Sequence, residues 1–295
     1  GFLEESEGAI GMDLRDEDLG FCLLLKSDGN GLYATKDLEL ARRKFEEHEI
    51  EQSLYVVDTR QSLHFKQVFR VLEKIGFEQA NQCVHLSYNF VELPDGAMSS
   101  RKGNIVPLME LVEQMKSVVK TQHLNKYVRE WTEEEIDGVA NMVARGAINY
   151  GMLRIDANKK IVFEMMEWLR LDGESGPYIQ YAHARIRSLL RKQGYDPSQP
   201  VDWSAIDQPV EKRLAMALSQ FNSVTFKTAQ NYKPSLLCTY LYDLAKLFSR
   251  FYHECPIAEA ETRSQRGARL ALAKATSLIL EKGLGLLGIP APERM

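Results

Sequence analysis

Cysteine is scarce in this 295-residue chain, and the four present, Cys22, Cys83, Cys238 and Cys255, are too far apart for any pair to have metal-ligand or redox spacing. A disulfide scaffold and a thiolate-held metal cluster are therefore not expected, and reduced, buried thiols in a cytoplasmic protein are. Long apolar runs are missing too. No stretch approaches the roughly 18 uninterrupted apolar residues of a membrane helix, and no secretory signal is present, so no membrane partner is expected. Nor is there an excess of positive charge: 37 Lys and Arg face 41 Asp and Glu, for a formal net charge of −4 and a pI near 6.0. That gives no support to a globally basic nucleic-acid binder, although local basic patches remain open. Internal repeats and low-complexity tracts are also absent.

What is present suits a globular protein of about two domains, with 44% hydrophobic and 26% charged residues. Phe21 to Leu25 reads as a strand, Asp28-Gly29-Asn30-Gly31 as a hairpin turn, and Leu32 to Thr35 as the returning strand. Asp37 then stands where a helix cap belongs, ahead of the helix-favouring run that begins at Leu38. Leu54-Tyr55-Val56-Val57 has the continuous apolar character of a buried parallel strand, and Leu63 to Ile75 the periodicity of a helix ended by Gly76. A strand from Cys83 to Leu93 follows. The alternation predicts a parallel α/β sheet, whose ligands sit at the carboxyl ends of the strands. Past Ile105 no strand is expected. A helical run opens near Pro107, Thr132 with Glu135 forms a capping box for a helix reaching about Tyr150, and Gly176-Pro177 opens another. Further helices are predicted over Gln208–Asn231, Ser235–Tyr252 and Thr262–Gly283, which together make a bundle.

Between the Cys83 to Leu93 strand and the Pro107 helix lies Met98-Ser99-Ser100-Arg101-Lys102-Gly103-Asn104. Two hydroxyls, two cations and a glycine in seven residues supply donors for phosphate oxygens; a solvated basic turn is the plainer alternative. Tyr33 and Asp37 are four apart, and can line one pocket or serve as a strand aromatic and a cap. Gln61 follows the Val56-Val57 strand with both an amide donor and an acceptor to offer. His64 either faces a ligand or packs beside Phe65. From Tyr178 to Lys192 four cations fall within eight residues, Arg185, Arg187, Arg191 and Lys192, beside Tyr178 and Tyr181. Cations for phosphates and aromatics for splayed bases suit single-stranded RNA, while a solvated basic helix face uses the same residues.

The Met98–Gly103 stretch resembles the phosphate-binding signature loop of class I aminoacyl-tRNA synthetases, in the form found in arginyl-tRNA synthetases. Four more stretches resemble segments of that family in the same order: Gly31–Leu38, Tyr55–Phe65, Gly176–Arg185 and Leu286–Met295. The resemblance implies the second half of a Rossmann-type catalytic domain over residues 1–115, a helical connecting region over 116–175 and a helical anticodon-binding domain over 176–295. It implies that Tyr33, Asp37 and Gln61 bind arginine, that His64, Met98, Ser99, Arg101 and Lys102 bind ATP, and that Ser99, Ser100, Arg101 and Lys102 act on the α-phosphate. Tyr178, Tyr181, Arg187, Arg191, Tyr252 and Met295 are implied in tRNA contact. ATP enters as a substrate with Mg2+, without a protein-bound metal cluster, and a monomer is expected.

Two departures qualify it. The family pattern has a Lys before the Met and another between the serines, where Ala97 and Ser100 stand here. None of the six histidines lies in the family's His-x-Gly-His element, so the chain, which opens at Gly1, is expected to be the carboxy-terminal part of a longer enzyme and to lack activity alone. The alternatives are a non-catalytic tRNA-binding module descended from a synthetase, or another class I synthetase with the same loop.

Overall fold

A computed structural model describes residues 3–94, 96–97 and 107–295. The chain forms two compact units, one of residues 1–90 with 157–160, the other of residues 91–156 with 161–295.

In the first unit β1 (Glu4–Ser6), β2 (Ala9–Leu14) and β3 (Gly20–Leu25) form an antiparallel meander. Helix α1 (Tyr33–His48) follows, and then β4 (Ser53–Asp58), α2 (Ser62–Lys74) and β5 (Cys83–Tyr88), with β4 and β5 parallel and in register from Ser53↔Cys83 to Asp58↔Tyr88. The core holds Met12, Leu14, Ala41, Phe65, Val68, Leu72 and Cys83. The expected strand over Leu32–Thr35 is instead the start of α1. Leu32 is the extended residue before the helix, its N–H donating to the Leu24 carbonyl, and only a single Leu25↔Gly31 bridge survives of the hairpin. Helix wins because Ala34, Leu38 and Ala41 recur at helical spacing and turn inward, which an extended chain would not allow. Asp37 consequently sits inside the first turns rather than at the cap. Strand β4 is buried on one face only, with Leu54 and Val56 exposed.

The strand predicted over Cys83–Leu93 is broken. At Asn89 the chain turns away, its N–H donating to the Ala157 carbonyl at 2.7 Å and its side-chain amide to that of Asn158 at 3.0 Å. The second unit begins with β6 (Val91–Leu93), which pairs antiparallel with β7 (Gly96–Ala97) and parallel with β8 (Ile161–Val162). Strand β8 lies where none was expected, because two residues carry no periodicity.

Helices build the rest of this unit: α3 (Leu108–Val119), α4 (Glu133–Leu153), α5 (Met165–Trp168), α6 (Gly176–Lys192), α7 (Pro209–Ser219), α8 (Phe221–Gln230), α9 (Pro234–Glu254) and α10 (Arg263–Leu286). The segment read as one helix over Gln208–Asn231 is two, α7 and α8. No Gly or Pro marks the break; Tyr240 Oη donates to the Ala217 carbonyl at 2.9 Å, a bond from α9 that takes an acceptor of the final α7 turn. Helices α4 and α6 cross with backbones in contact, since a Cβ on Gly176 would strike the Gly146 carbonyl. Tyr150, fully buried, donates to the Cys238 carbonyl at 3.1 Å and anchors α4 to α9. All four cysteines are free and buried. No described helix is long and apolar enough to cross a membrane.

The capping box is formed. Glu135 N–H donates to Thr132 Oγ1 at 3.2 Å and Thr132 N–H to Glu135 Oε2 at 2.9 Å. Thr132→Ala should therefore destabilise the helical unit by about 1 kcal/mol, read in urea unfolding as a lower midpoint at unchanged slope. An unchanged midpoint would show that water replaces the cap.

Candidate functional site

In the first unit the candidate residues gather near the carboxyl end of β4 and the start of α1. Asp58, the last residue of β4, accepts the Arg60 N–H at 2.9 Å and caps a tight turn over Thr59–Gln61 that leads into α2. That turn leaves Gln61 exposed at the helix entry, and His64 in the first turn of α2. His64 Nε2 lies 2.6 Å from Asp37 Oδ2, each side chain being about a quarter exposed. Two helices that are separate in sequence thus bring a carboxylate and an imidazole together. Tyr33, one turn before Asp37 on α1, is 80% exposed. Tyr33, Asp37 and His64 can offer an anionic acceptor flanked by an aromatic face and a ring nitrogen, a set suited to a planar cation. Behind them His85 Nε2 faces the Val57 carbonyl at 3.0 Å, and Phe65 lies between His64 and His85.

The phosphate-loop residues Met98, Ser99, Ser100, Arg101 and Lys102 lie outside the described residues. Among the described residues no group of three or more His, Cys, Asp and Glu could hold a metal ion.

The helical unit divides the basic residues of α6 between two faces. Arg185 is exposed and its guanidinium lies over the Tyr252 ring, 4.4 Å from the centroid. Tyr181 is half-buried one turn earlier. Tyr178 is committed to packing, edge-on to Tyr242 with its hydroxyl 3.4 Å from Ser249 Oγ. Arg187 and Arg191, expected to meet phosphate, both point to Glu293 Oε2, at 2.7 and 3.2 Å. Met295 is half-buried against the cluster around Trp131, and its carbonyl accepts from Tyr127 Oη at 3.2 Å.

A family model described as "tRNA synthetases class I (R), catalytic domain" matches residues 1–165, and one described as "DALR anticodon binding domain" matches residues 179–295. The chain belongs to the class I tRNA synthetase (R) family. Among curated relatives of this class I chain, it is 61% identical over 295 residues to a protein of Bdellovibrio bacteriovorus named Arginine--tRNA ligase. It is 36% identical over 300 residues to one of the same name in Bacteroides thetaiotaomicron. Each alignment covers 100% of this chain but 51% and 50% of the relative, so the chain spans about half the length of the curated relatives it matches. The solved Thermus thermophilus arginyl-tRNA synthetase aligns over 100% of this chain and 56% of its own, with 29% identity and a TM-score of 0.86. The class I α/β portion and the helical DALR portion are thus both present.

Sequence reasoning did not separate the faces of the class I chain's α6, nor see the roles of Gln180, His183 and Glu293. The signal was available in part, since 180, 183, 187 and 191 follow the steps of one helical stripe. Their partners, two proline carbonyls and a carboxylate a hundred residues on, leave no such trace.

Proposed function

We propose that the protein of which this chain is part is an arginine-tRNA ligase that forms arginyl-adenylate from arginine and ATP, releases pyrophosphate, and passes the arginyl group to arginine tRNA. The observation that carries this reading is the Asp37 carboxylate, presented between Tyr33 and His64 in a segment similar to arginine-tRNA ligases. The carboxylate accepts the substrate guanidinium and the Tyr33 ring covers one face of it. Gln61 holds the amino acid's polar end, which leaves the substrate carboxylate to attack the α-phosphorus. His64 fixes the Asp37 carboxylate and borders the nucleotide.

Ser99, Ser100, Arg101 and Lys102, with Met98 against the nucleotide, supply the donors and charge that favour the transition state as negative charge moves to the leaving pyrophosphate. Mg2+ accompanies the ATP phosphates as part of the substrate. The divisions 1–115, 116–175 and 176–295 are proposed as the catalytic, connecting and anticodon-binding parts. In the last of these, Tyr181, Arg185 and Tyr252 form the base-stacking and phosphate-binding surface, with Tyr178, Arg187, Arg191 and Met295 around it. The setting is cytoplasmic and the protein monomeric.

The test is arginine-dependent ATP–pyrophosphate exchange by the full-length protein with arginine tRNA present, beside a lysine control. Exchange that lysine supports equally well would refute the arginine pocket. Separately, an arginine-tRNA anticodon stem-loop should bind more tightly than one with altered anticodon bases, with an affinity that falls as salt rises. Equal binding would reduce the helical surface to nonspecific phosphate contact.

A further inference from the structure

One stripe of α6 grips the last residues of the chain. Gln180 Nε2 donates to the Pro290 carbonyl at 2.7 Å and to the Met142 carbonyl at 2.9 Å. His183 Nδ1 stands 3.0 Å from the Pro292 carbonyl, and Arg187 and Arg191 converge on Glu293. Further along, Arg294 pairs with Glu135 at 2.8 Å and covers the Trp131 ring at 5.0 Å, and Tyr127 holds the Met295 carbonyl. The arginine pairs are surface contacts that water and salt weaken. Gln180 and His183 differ, because both are fully buried. Losing either donor strands a carbonyl under the tail, which costs more than a surface pair contributes.

The hydrogen-bond chemistry fixes one state of His183. A carbonyl only accepts, so Nδ1 carries the proton and Nε2 is the bare nitrogen of a neutral ring. Among the described residues Nε2 has no hydrogen-bond partner. Burial pushes the His183 pKa below its ordinary value; the Pro292 carbonyl, Glu281 on α10 and Glu293 in the tail oppose that shift, and Arg187 on α6 adds to it.

We propose that Gln180 and His183 are positioning residues that set the register of residues 290–295 and so place Met295 for contact with the RNA loop. The RNA half of this statement rests on the anticodon reading above. Since folding lowers the histidine pKa, the docked tail binds fewer protons than the released one. Docking is complete above the ordinary histidine value of about 6.5 and weakens as the pH falls through and below it.

The experiment follows the Met295 methyl resonance by 13C NMR in the full chain, assigned with Met295→Leu. The wild-type signal should sit away from its random-coil position at pH 7.5 and move toward it at pH 5.5. His183→Phe keeps the bulk but not the donor, and should show the released signal at both pH values. His183→Asn places an amide N–H where Nδ1 stood and should stay docked at both. Glu281, Glu293 and Arg187 remain in that variant, so a pH response of their making would persist and count against the proposal. Gln180→Leu tests the same grip without touching the imidazole, and should also release the tail. Stem-loop affinity at pH 7.5 should fall roughly tenfold in His183→Phe and by less than about twofold in His183→Asn. A tail that stays docked in both His183→Phe and Gln180→Leu overturns the proposal, as does a released tail with unchanged affinity. If the wild type binds no stem-loop while Met295 responds as described, tail positioning stands and the anticodon reading fails.

Discussion

Arg269→Met should destabilise the helical unit by about 3–5 kcal/mol, the cost of leaving a buried charge without its partner. Arg269 on α10 and Glu211 on α7 are 8% and 0% exposed at their side chains, with Nε 2.6 Å from Oε1. Arg269 also donates to the Pro256 carbonyl at 3.2 Å. The other oxygen of Glu211 accepts the Asp207 and Gln208 N–H groups at 3.0 Å, so the same carboxylate caps α7. Methionine fills the volume of the arginine stem but leaves a charged carboxylate that is fully buried. Adding Glu211→Gln should recover half of the loss or more, because an amide oxygen still accepts the cap bonds and carries no charge. Urea unfolding of the two single variants and the double variant measures this coupling. A loss below about 1 kcal/mol in Arg269→Met would mean that water reaches the pair.

Asp37→Asn should lower kcat/KM for arginine in the full-length protein by roughly 30- to 900-fold, equivalent to about 2–4 kcal/mol, with little change in thermal stability. The carboxylate is about a quarter exposed, with Oδ2 toward His64. An amide keeps the size but cannot present two anionic acceptors to a guanidinium. Stability should hold because Asp37 neither caps α1 nor enters the core around Ala41. Steady-state exchange kinetics with arginine as the varied substrate give the answer. An unchanged kcat/KM would remove Asp37 from the pocket, and a fall in melting temperature without one in kcat/KM would make it a structural partner of His64.

Asp37 also shows how much the sequence by itself determined. Its spacing of four from Tyr33 allowed both to line one pocket across an expected strand and cap, whereas the structure puts both on one helix, a turn apart. Local signals that need only nearest neighbours came through: the Thr132–Glu135 capping box, Pro177 in the first turn of α6, and the periodicity of α2. Signals that depend on distant partners did not. Asn89 leaves β5 with its donors on backbone at 157–158, Tyr240 of α9 donates to the Ala217 carbonyl beside the break between α7 and α8, and β8 pairs with β6. On α6 the sequence showed four cations and two tyrosines but could not say which would be free. Tertiary structure gave Arg187 and Arg191 to Glu293, set Tyr178 against Tyr242, and left Arg185 over Tyr252. The physical reason is common to all of them. A capping box or a helical period is satisfied within a turn or two of the chain, whereas a buried donor or an ion pair is satisfied by whatever the fold brings near, and sequence spacing carries no record of that.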